Sequence, residues 1–219
     1  MRRIGIDVGG TNTDAVLVHD STVVASVKTP TTEDVTEGVR DALRLLVAEL
    51  GGDAGVVEAV MIGTTHFTNA VVQRRDLEAV GALRVGLPSG RSLPPFCDWP
   101  KDLAEIVRGH VALVRGGHEY DGRPLVPFDE KATVNAARRM RELGIESVGV
   151  TAVFSPLTSE CEERAAEILR AEIPGVSVTL SHDLGRIGLL ERENAVLLNA
   201  SLVSLARRTN KAFRTAVEE

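Results

Sequence analysis

Only two cysteines occur in the 219 residues, Cys97 and Cys161. They are too few for a disulfide framework and too far apart for a zinc knuckle, so both are expected to be free thiols. Cys97 stands in the irregular stretch Pro94-Pro95-Phe96-Cys97-Asp98-Trp99-Pro100, where buried packing is the expected role and lining a substrate the alternative. The five histidines, at 19, 66, 110, 118 and 182, show no metal-ligand spacing. Neither a Gly-x-Ser-x-Gly elbow nor a locally supported Cys/His pair is present, which argues against serine- and cysteine-hydrolase chemistry. No apolar run approaches the ~20 residues needed to span a bilayer. The opening Met-Arg-Arg-Ile-Gly leads into a strand instead of a signal-type stretch, so no membrane partner and a cytoplasmic location are expected. Basic pairs such as Arg74-Arg75 and Arg207-Arg208 form no stripe, and with a net charge of −6 no nucleic-acid partner is expected. Internal repeats and low-complexity tracts are absent too. What remains, 43% apolar and 26% charged residues, is ordinary for a globular chain with one large or two small cores.

The most informative segment is residues 4–14, Ile-Gly-Ile-Asp-Val-Gly-Gly-Thr-Asn-Thr-Asp. Gly9 and Gly10 lack a Cβ and can adopt positive φ, so consecutive N–H groups can converge on an anionic oxygen as a nest. Thr11, Asn12 and Thr13 add side-chain donors at the same bend. Asp7, at the end of a short apolar strand, cannot face a phosphate favourably without a bridging cation, most simply Mg²⁺ holding its waters. Walker-A and dinucleotide loops lead into a helix. Here the runs Ala15–Val18 and Thr22–Val27 are β-prone and separated by His19-Asp20-Ser21, which makes the loop a hairpin turn.

Helical periodicity over Glu33–Leu50, with Gly51-Gly52 behind it, predicts an amphipathic helix, followed by a strand over Val56–Ile62. Gly63-Thr64-Thr65 then leads into a helix containing Thr68–Arg75, with Thr64 or Thr65 as a helix cap, a ligand contact, or both. Leu83–Leu87 reads as a strand, residues 88–100 as an ordered loop, Asp102–Arg108 as a helix and Val111–Val114 as a strand. Asp129 is placed to cap a helix that Gly144 ends. Val148–Phe154 reads as a strand covered on both faces. Ser159-Glu160-Cys161-Glu162 matches a capping box opening a helix to about Ala171, followed by a strand over Val176–Leu180. This alternation predicts parallel βαβ units. From about Arg192 the pattern is helical to the end, without a glycine or proline stop, which suggests that the native chain continues. His118 with Glu119 and Asp121, and His182 with Asp183, are either acid–base groups or exposed loop residues. Glu191, Arg192 and Glu193 are expected to cap or pair along the last helix, with a ligand role open.

A strand, Asp-x-Gly-Gly-Thr and then antiparallel strands resembles the first phosphate motif of the actin, heat-shock chaperone and sugar-kinase ATPase superfamily. Gly63–Ala70, Gly116–Pro124 and Ile187–Asn194, in this order and spacing, further resemble the amino-terminal region of the hydantoinase A/5-oxoprolinase family. Asn12 stands where the better-known oxoprolinase and carboxylase members usually carry Phe, which is closer to the shorter hydantoinase-type branch and leaves the substrate open. The resemblance implies an α/β, ribonuclease-H-like lobe, a mixed sheet with an antiparallel hairpin at its start and parallel βαβ units after it. It implies a lobe over 1–185 and a helix over 186–219 leading into a second lobe of the same chain. It also implies an ATP-dependent opening of a cyclic amide, of hydantoin or 5-oxoproline type, through a phosphorylated carbonyl, with a hydantoinase B-type subunit as partner. In that reading ATP and Mg²⁺ are the cofactors, Asp7 (through water) and Asp14 act at the metal and the catalytic centre, and Gly9, Gly10, Thr11, Asn12 and Thr13 hold phosphate. Thr64, Thr65, His118 and Glu191 are substrate-side candidates. Two rival readings are a small-molecule kinase of the same superfamily and a non-enzymatic, nucleotide-switched assembly protein.

Overall fold

A computed structural model describes residues 1–31, 35–51 and 56–218. In chain order the elements are β1 (Arg2–Val8), β2 (Asn12–His19), β3 (Thr22–Pro30), α1 (Val35–Glu49), β4 (Ala59–Thr64), α2 (His66–Gln73), β5 (Val80–Leu87), α3 (Lys101–Val107), β6 (Arg108–Arg115), α4 (Glu130–Glu142), β7 (Ser147–Ala152), α5 (Glu160–Glu172), β8 (Ser177–Leu180), α6 (Ser181–Leu184), α7 (Leu189–Ser201) and α8 (Val203–Glu218). They fall into two compact units, Met1–Gln73 with Leu205–Glu219, and Arg74–Ser204. The expected start of the first helix at Glu33, and Gly52 behind it, lie outside the described residues. No helix among those described is long and apolar enough to cross a membrane.

The first unit is built on a mixed sheet ordered β3-β2-β1-β4. β1 pairs antiparallel with β2 and parallel with β4, and β2 pairs antiparallel with β3, as the hairpin reading requires. Because side chains alternate along a strand, Ile4, Ile6, Val8, Ala15, Leu17 and Ala25 all face one side, where Val39, Ala42 and Leu46 of α1 and Ala216 of α8 complete a core. The other side of β1, β2 and β4 presents Gly5, Asp7, Asp14, Val16, Met61 and Gly63 around an open depression of about 370 Å³. Met61 on this face is 57% exposed.

The second unit holds the parallel βαβ part as a separate sheet ordered β6-β5-β7-β8. Every residue of β7 is buried, the continuous apolar pattern of a strand covered on both faces. Ala137, Met140, Ala165 and Leu169 of α4 and α5 pack with one set of its side chains. α7 approaches so closely elsewhere that a Cβ on Gly149 would lie 2.6 Å from Val196 Cγ1. Asp129 caps α4 as expected, its Oδ1 accepting from Ala132 N at 2.9 Å, and Gly144 follows with φ +69°.

Three readings need correction. The capping box at Ser159 is not formed, since that side chain makes no cap hydrogen bond and Glu162 is fully buried instead. Cys97 is exposed rather than packed, whereas Cys161 is buried. The final helical stretch is two helices. Ser201 Oγ donates back to Leu198 O at 2.8 Å, a local bond that competes with helix continuation, and the N–H of Leu202, the residue after α7, turns to Asn199 O at 3.1 Å.

Candidate functional site

Strand pairing sets the geometry of the Asp7 loop. Val8 is in register with both Thr13 on β2 and Thr64 on β4, so the exits of β1 and β4 lie side by side. The loop Gly9-Gly10-Thr11 and the loop Gly63-Thr64-Thr65 therefore share one end of the sheet. Gly9 N donates to Asn12 O at 3.0 Å, which closes the turn, and a Cβ on Gly9 would sit 3.1 Å from that carbonyl. Neither Gly9 nor Gly10 is among the positive-φ residues. The positive φ expected of these glycines is thus not used, and glycine is needed at position 9 for close approach instead of handedness. A Cβ on Gly10 would meet no clash, its nearest neighbour being Asn69 Nδ2 at 3.7 Å, an ordinary van der Waals contact.

Among the expected phosphate donors, Thr11 is exposed and Asn12 half-buried. Thr13 is completely buried, and its hydroxyl lies 3.2 Å from Thr31 Oγ1, which donates to Gly9 O at 2.9 Å. Thr13 is therefore a support beneath the loop and not a donor on its surface. Thr64 works in two directions, donating to Val8 O at 3.2 Å and accepting from His66 N at 3.0 Å at the start of α2. Thr65 is exposed, with Asn69 Nδ2 at 3.4 Å from its hydroxyl. Asn69, facing both Thr65 and Gly10, is a polar group the sequence reading did not single out. Its only signal there was a place one turn into the helix that follows a Gly-Thr-Thr strand exit.

One line of register runs across four strands as Lys28, Asp14, Asp7 and Gly63. Lys28 Nζ lies 3.1 Å from Asp14 Oδ1, so Asp14 is neutralised from the β3 side. Asp7 faces Asp14 directly, an arrangement of like charges that costs stability, and among the described residues it has no ion-pair partner. On its other side the bare Gly63 would bring even a Cβ no closer than 3.9 Å to Asp7 Oδ1. An exposed carboxylate with no ion-pair partner among the described residues, beside the bare Gly63 and the Gly9-Gly10-Thr11 turn, fits a hydrated Mg²⁺. No cluster of three or more His, Cys, Asp or Glu among the described residues offers an all-protein metal cage.

The remaining candidates lie in the second unit. His118 is 3% exposed, so the exposed-loop reading is corrected: its backbone N–H donates to Val153 O at 3.1 Å, and among the described residues its Nδ1 has no hydrogen-bond partner. The loop around it needs glycine, since Gly116 has φ +136° and a Cβ there would meet Val85 Cγ1 at 2.5 Å. Glu191 is exposed and folds back over Gly188 in the first turn of α7. Its neighbours are the buried ones. Glu193 pairs with Arg84 through two hydrogen bonds. Arg192 donates to Ala152 O at 2.7 Å, Ser155 Oγ at 3.2 Å and Ser181 Oγ at 3.0 Å, and burial holds its guanidinium below the ordinary value. Glu162 accepts from Ala152 N at 2.7 Å, from Ser181 Oγ and from His182 Nδ1 at 2.7 Å. Sequence spacing alone concealed this network, because its partners come from the ends of β7 and β8.

The model for the hydantoinase/oxoprolinase N-terminal region matches residues 3–173. The caprolactamase subunit alpha of Pseudomonas jessenii is 27% identical over 99% of the chain and 33% of that protein. The acetophenone carboxylase gamma subunit of Aromatoleum aromaticum is 28% identical over 91% of the chain and 31% of its own length. The crystal structure of the ATP-dependent caprolactamase from Pseudomonas jessenii superposes with a TM-score of 0.76 at 25% identity, covering 99% of the chain and 33% of that structure. A nucleotide-free acetone carboxylase structure gives 0.77 at 21% identity, covering 100% and 35%, and so shares the fold. The chain spans about a third of the length of these relatives.

Proposed function

Because the chain belongs to the hydantoinase/oxoprolinase family through its N-terminal region, we propose that it is the amino-terminal ATPase lobe of an ATP-dependent amidohydrolase that opens a cyclic amide. The observation that carries this reading is the register line Lys28, Asp14, Asp7, Gly63, which leaves one carboxylate without an ion-pair partner among the described residues beside the Gly9-Gly10 turn. A hydantoin, 5-oxoproline or lactam ring is the substrate class, supported by the caprolactamase relative.

An amide carbonyl is a poor electrophile. Transfer of the γ-phosphoryl group to its oxygen releases ADP and activates the carbon; one water adds there and the ring C–N bond breaks, the nitrogen leaving as a protonated amine, to give an acyl phosphate, and a second water hydrolyses it to phosphate and an open-chain acid. Mg²⁺, when bound, neutralises charge on the phosphates. Asp7 would hold the metal through its water molecules, while Asp14, held by Lys28, would fix the loop and the local charge. The N–H groups of Gly10 and Thr11 and the side chains of Thr11 and Asn12 receive phosphate oxygens, and Gly9 and Thr13 keep the turn in shape for them. Thr65, with Asn69 behind it, and the Thr64 backbone contact the phosphate or ring from the neighbouring loop. His118, buried, and Glu191, folded over α7, have no part in this assignment. A second lobe of the same chain and a hydantoinase B-type subunit complete the proposed enzyme, consistent with relatives that are named as subunits, and its use of ATP suits a cytoplasmic location.

The test is turnover of hydantoin, 5-oxoproline and caprolactam by the protein at native length with its co-purifying subunits, following ADP and ring-opened product together. Stoichiometric appearance of both supports the proposal. Accumulation of a phosphorylated ring without opening would make the protein a kinase, and ATP hydrolysis stimulated only by a protein partner would make it a nucleotide switch.

A further inference from the structure

Away from the phosphate loop, the second unit contains a cleft of about 500 Å³ lined by Phe96, Cys97, Trp99, Lys101, Glu105 and Arg108, with Ala104 in its wall. Its geometry is held from several sides. Phe96 is a buried non-glycine residue at φ +67°, a conformation L-residues rarely adopt and one that clusters at ligand sites. Its ring meets Trp99 edge-on at 4.8 Å and 74°, while the Arg108 guanidinium lies 5.3 Å above it. The Trp99 indole N–H donates to Asn194 Oδ1 at 2.7 Å, and the Asn194 amide donates to Asp98 Oδ2 at 2.9 Å. The aromatic wall is thus fastened to α7 before any ligand arrives, the preorganisation that a specific site requires.

Among the described residues, the one partner the fold gives these charges is the Phe96 ring beneath Arg108. Lys101 and Arg108 are both exposed, and among the described residues neither side chain makes an ion pair or a hydrogen bond, although the chain as a whole carries a net −6. Glu105, one turn after Lys101, is not paired with it either. Two cations and one carboxylate leave the lining with a single net positive charge. A flat indole, an Arg plane and an apolar wall beside that charge make the mixed surface on which a ring stacks while its charged group is bound.

We propose that this cleft binds a small organic monoanion, a carboxylate carried on a flat ring. The carboxylate is received by Lys101 and the free edge of Arg108, and the ring lies against Trp99. Glu105 selects for a monoanion, since a polyphosphate would meet a like charge in the lining. The proposal is independent of the nucleotide reading, because none of these residues belongs to the Asp7 loop.

Cys97, the exposed thiol of the lining, is the reporter. Protein at native length is alkylated with iodoacetamide in the presence of benzoate, benzamide, inorganic phosphate or ATP, and modification of Cys97 is followed by peptide mass. Benzoate is expected to slow that modification saturably, with benzamide at least about tenfold weaker, the ratio expected when a charge-assisted hydrogen bond is lost. Lys101→Met, a change at an exposed side chain without partners, should weaken benzoate protection about tenfold and leave benzamide unaffected. Equal protection by benzoate and benzamide would overturn the anion site. Protection by phosphate or ATP at concentrations below those of benzoate would make it a phosphate site instead, and absence of protection by benzoate would leave an ordinary surface cleft.

Discussion

In the parallel sheet of the second unit every β7 position is buried and charged side chains lie inside, each with its partners; in the mixed sheet of the first unit one face is open, and among the described residues the carboxylate that matters on it has no ion-pair partner. Arg84 and Glu193 neutralise each other, and Glu162 spends both its oxygens on Ala152, Ser181 and His182. Asp7 instead stands beside Asp14, which Lys28 has already neutralised. A charge taken out of water survives only when it is satisfied within the fold. A charge left in water next to a like charge destabilises slightly and keeps its capacity to bind something. Burial therefore separates architecture from chemistry in this chain better than residue type does.

The comparison breaks most visibly at Arg84. Arg84→Met leaves Glu193 buried without its partner and should cost about 3–5 kcal/mol, read as a lowered urea midpoint. Arg84→Met with Glu193→Leu should recover much of that loss, because removing both charges removes the penalty. A cost under about 1 kcal/mol for the single change would mean that the pair behaves as a surface one.

Glycine to alanine sharpens the contrast, because the same change has opposite consequences in the two units. At Gly116 the new Cβ meets Val85 Cγ1 at 2.5 Å at φ +136°, so about 2 kcal/mol or more of destabilisation is expected. At Gly10 there is space and no left-handed backbone, so stability should stay within about 1 kcal/mol of the parent, in either direction, while nucleotide affinity falls. Thermal unfolding with and without Mg-ATP reads both. A Gly10→Ala protein that binds nucleotide like the parent would remove this residue from the site.

The smallest effect concerns acid. Burial, helped by Arg139, lowers the His110 pKa from the ordinary 6.5, so the folded state takes up its proton less readily than the unfolded chain. The stability due to neutral His110 is complete above 6.5 and is lost as the pH falls through the lowered folded value. His110→Gln should abolish that part of the acid loss, and a parent and variant with superimposable stability profiles would contradict the assignment.

Local signals were legible where a single segment decides the outcome. The hairpin at Gly9-Gly10, the Asp129 cap, the Gly144 stop and the covered β7 strand all follow from propensity and periodicity within a few residues. The misses arose where tertiary partners override a local pattern. Ser159 to Glu162 has the spacing of a capping box, but Glu162 accepts instead from the backbone N–H groups of Ala152, at the end of β7, and His182, just after β8. For His118 the sequence leaves an acid–base group and an exposed loop residue both open, and no i-to-i+4 pattern reveals that the loop turns inward at Gly116 and Gly117. The candidate site was legible as a list of residues and illegible as an arrangement: that Thr13 lies beneath the loop, and that Lys28 neutralises Asp14 but not Asp7, depends on strand register, which alternates side chains between faces.

The central claim is that Asp7 is kept for a metal–nucleotide complex at the cost of some stability, and calorimetric titration of Mg-ATP into the native-length protein and its Asp7→Asn variant, with urea unfolding of both, tests it most directly. The account predicts at least a hundredfold weaker Mg-ATP binding, about 2.7 kcal/mol, in a variant that is as stable as the parent or more stable by about 0.2–1 kcal/mol. Unchanged Mg-ATP affinity, or a variant that loses binding only because it unfolds, would contradict it.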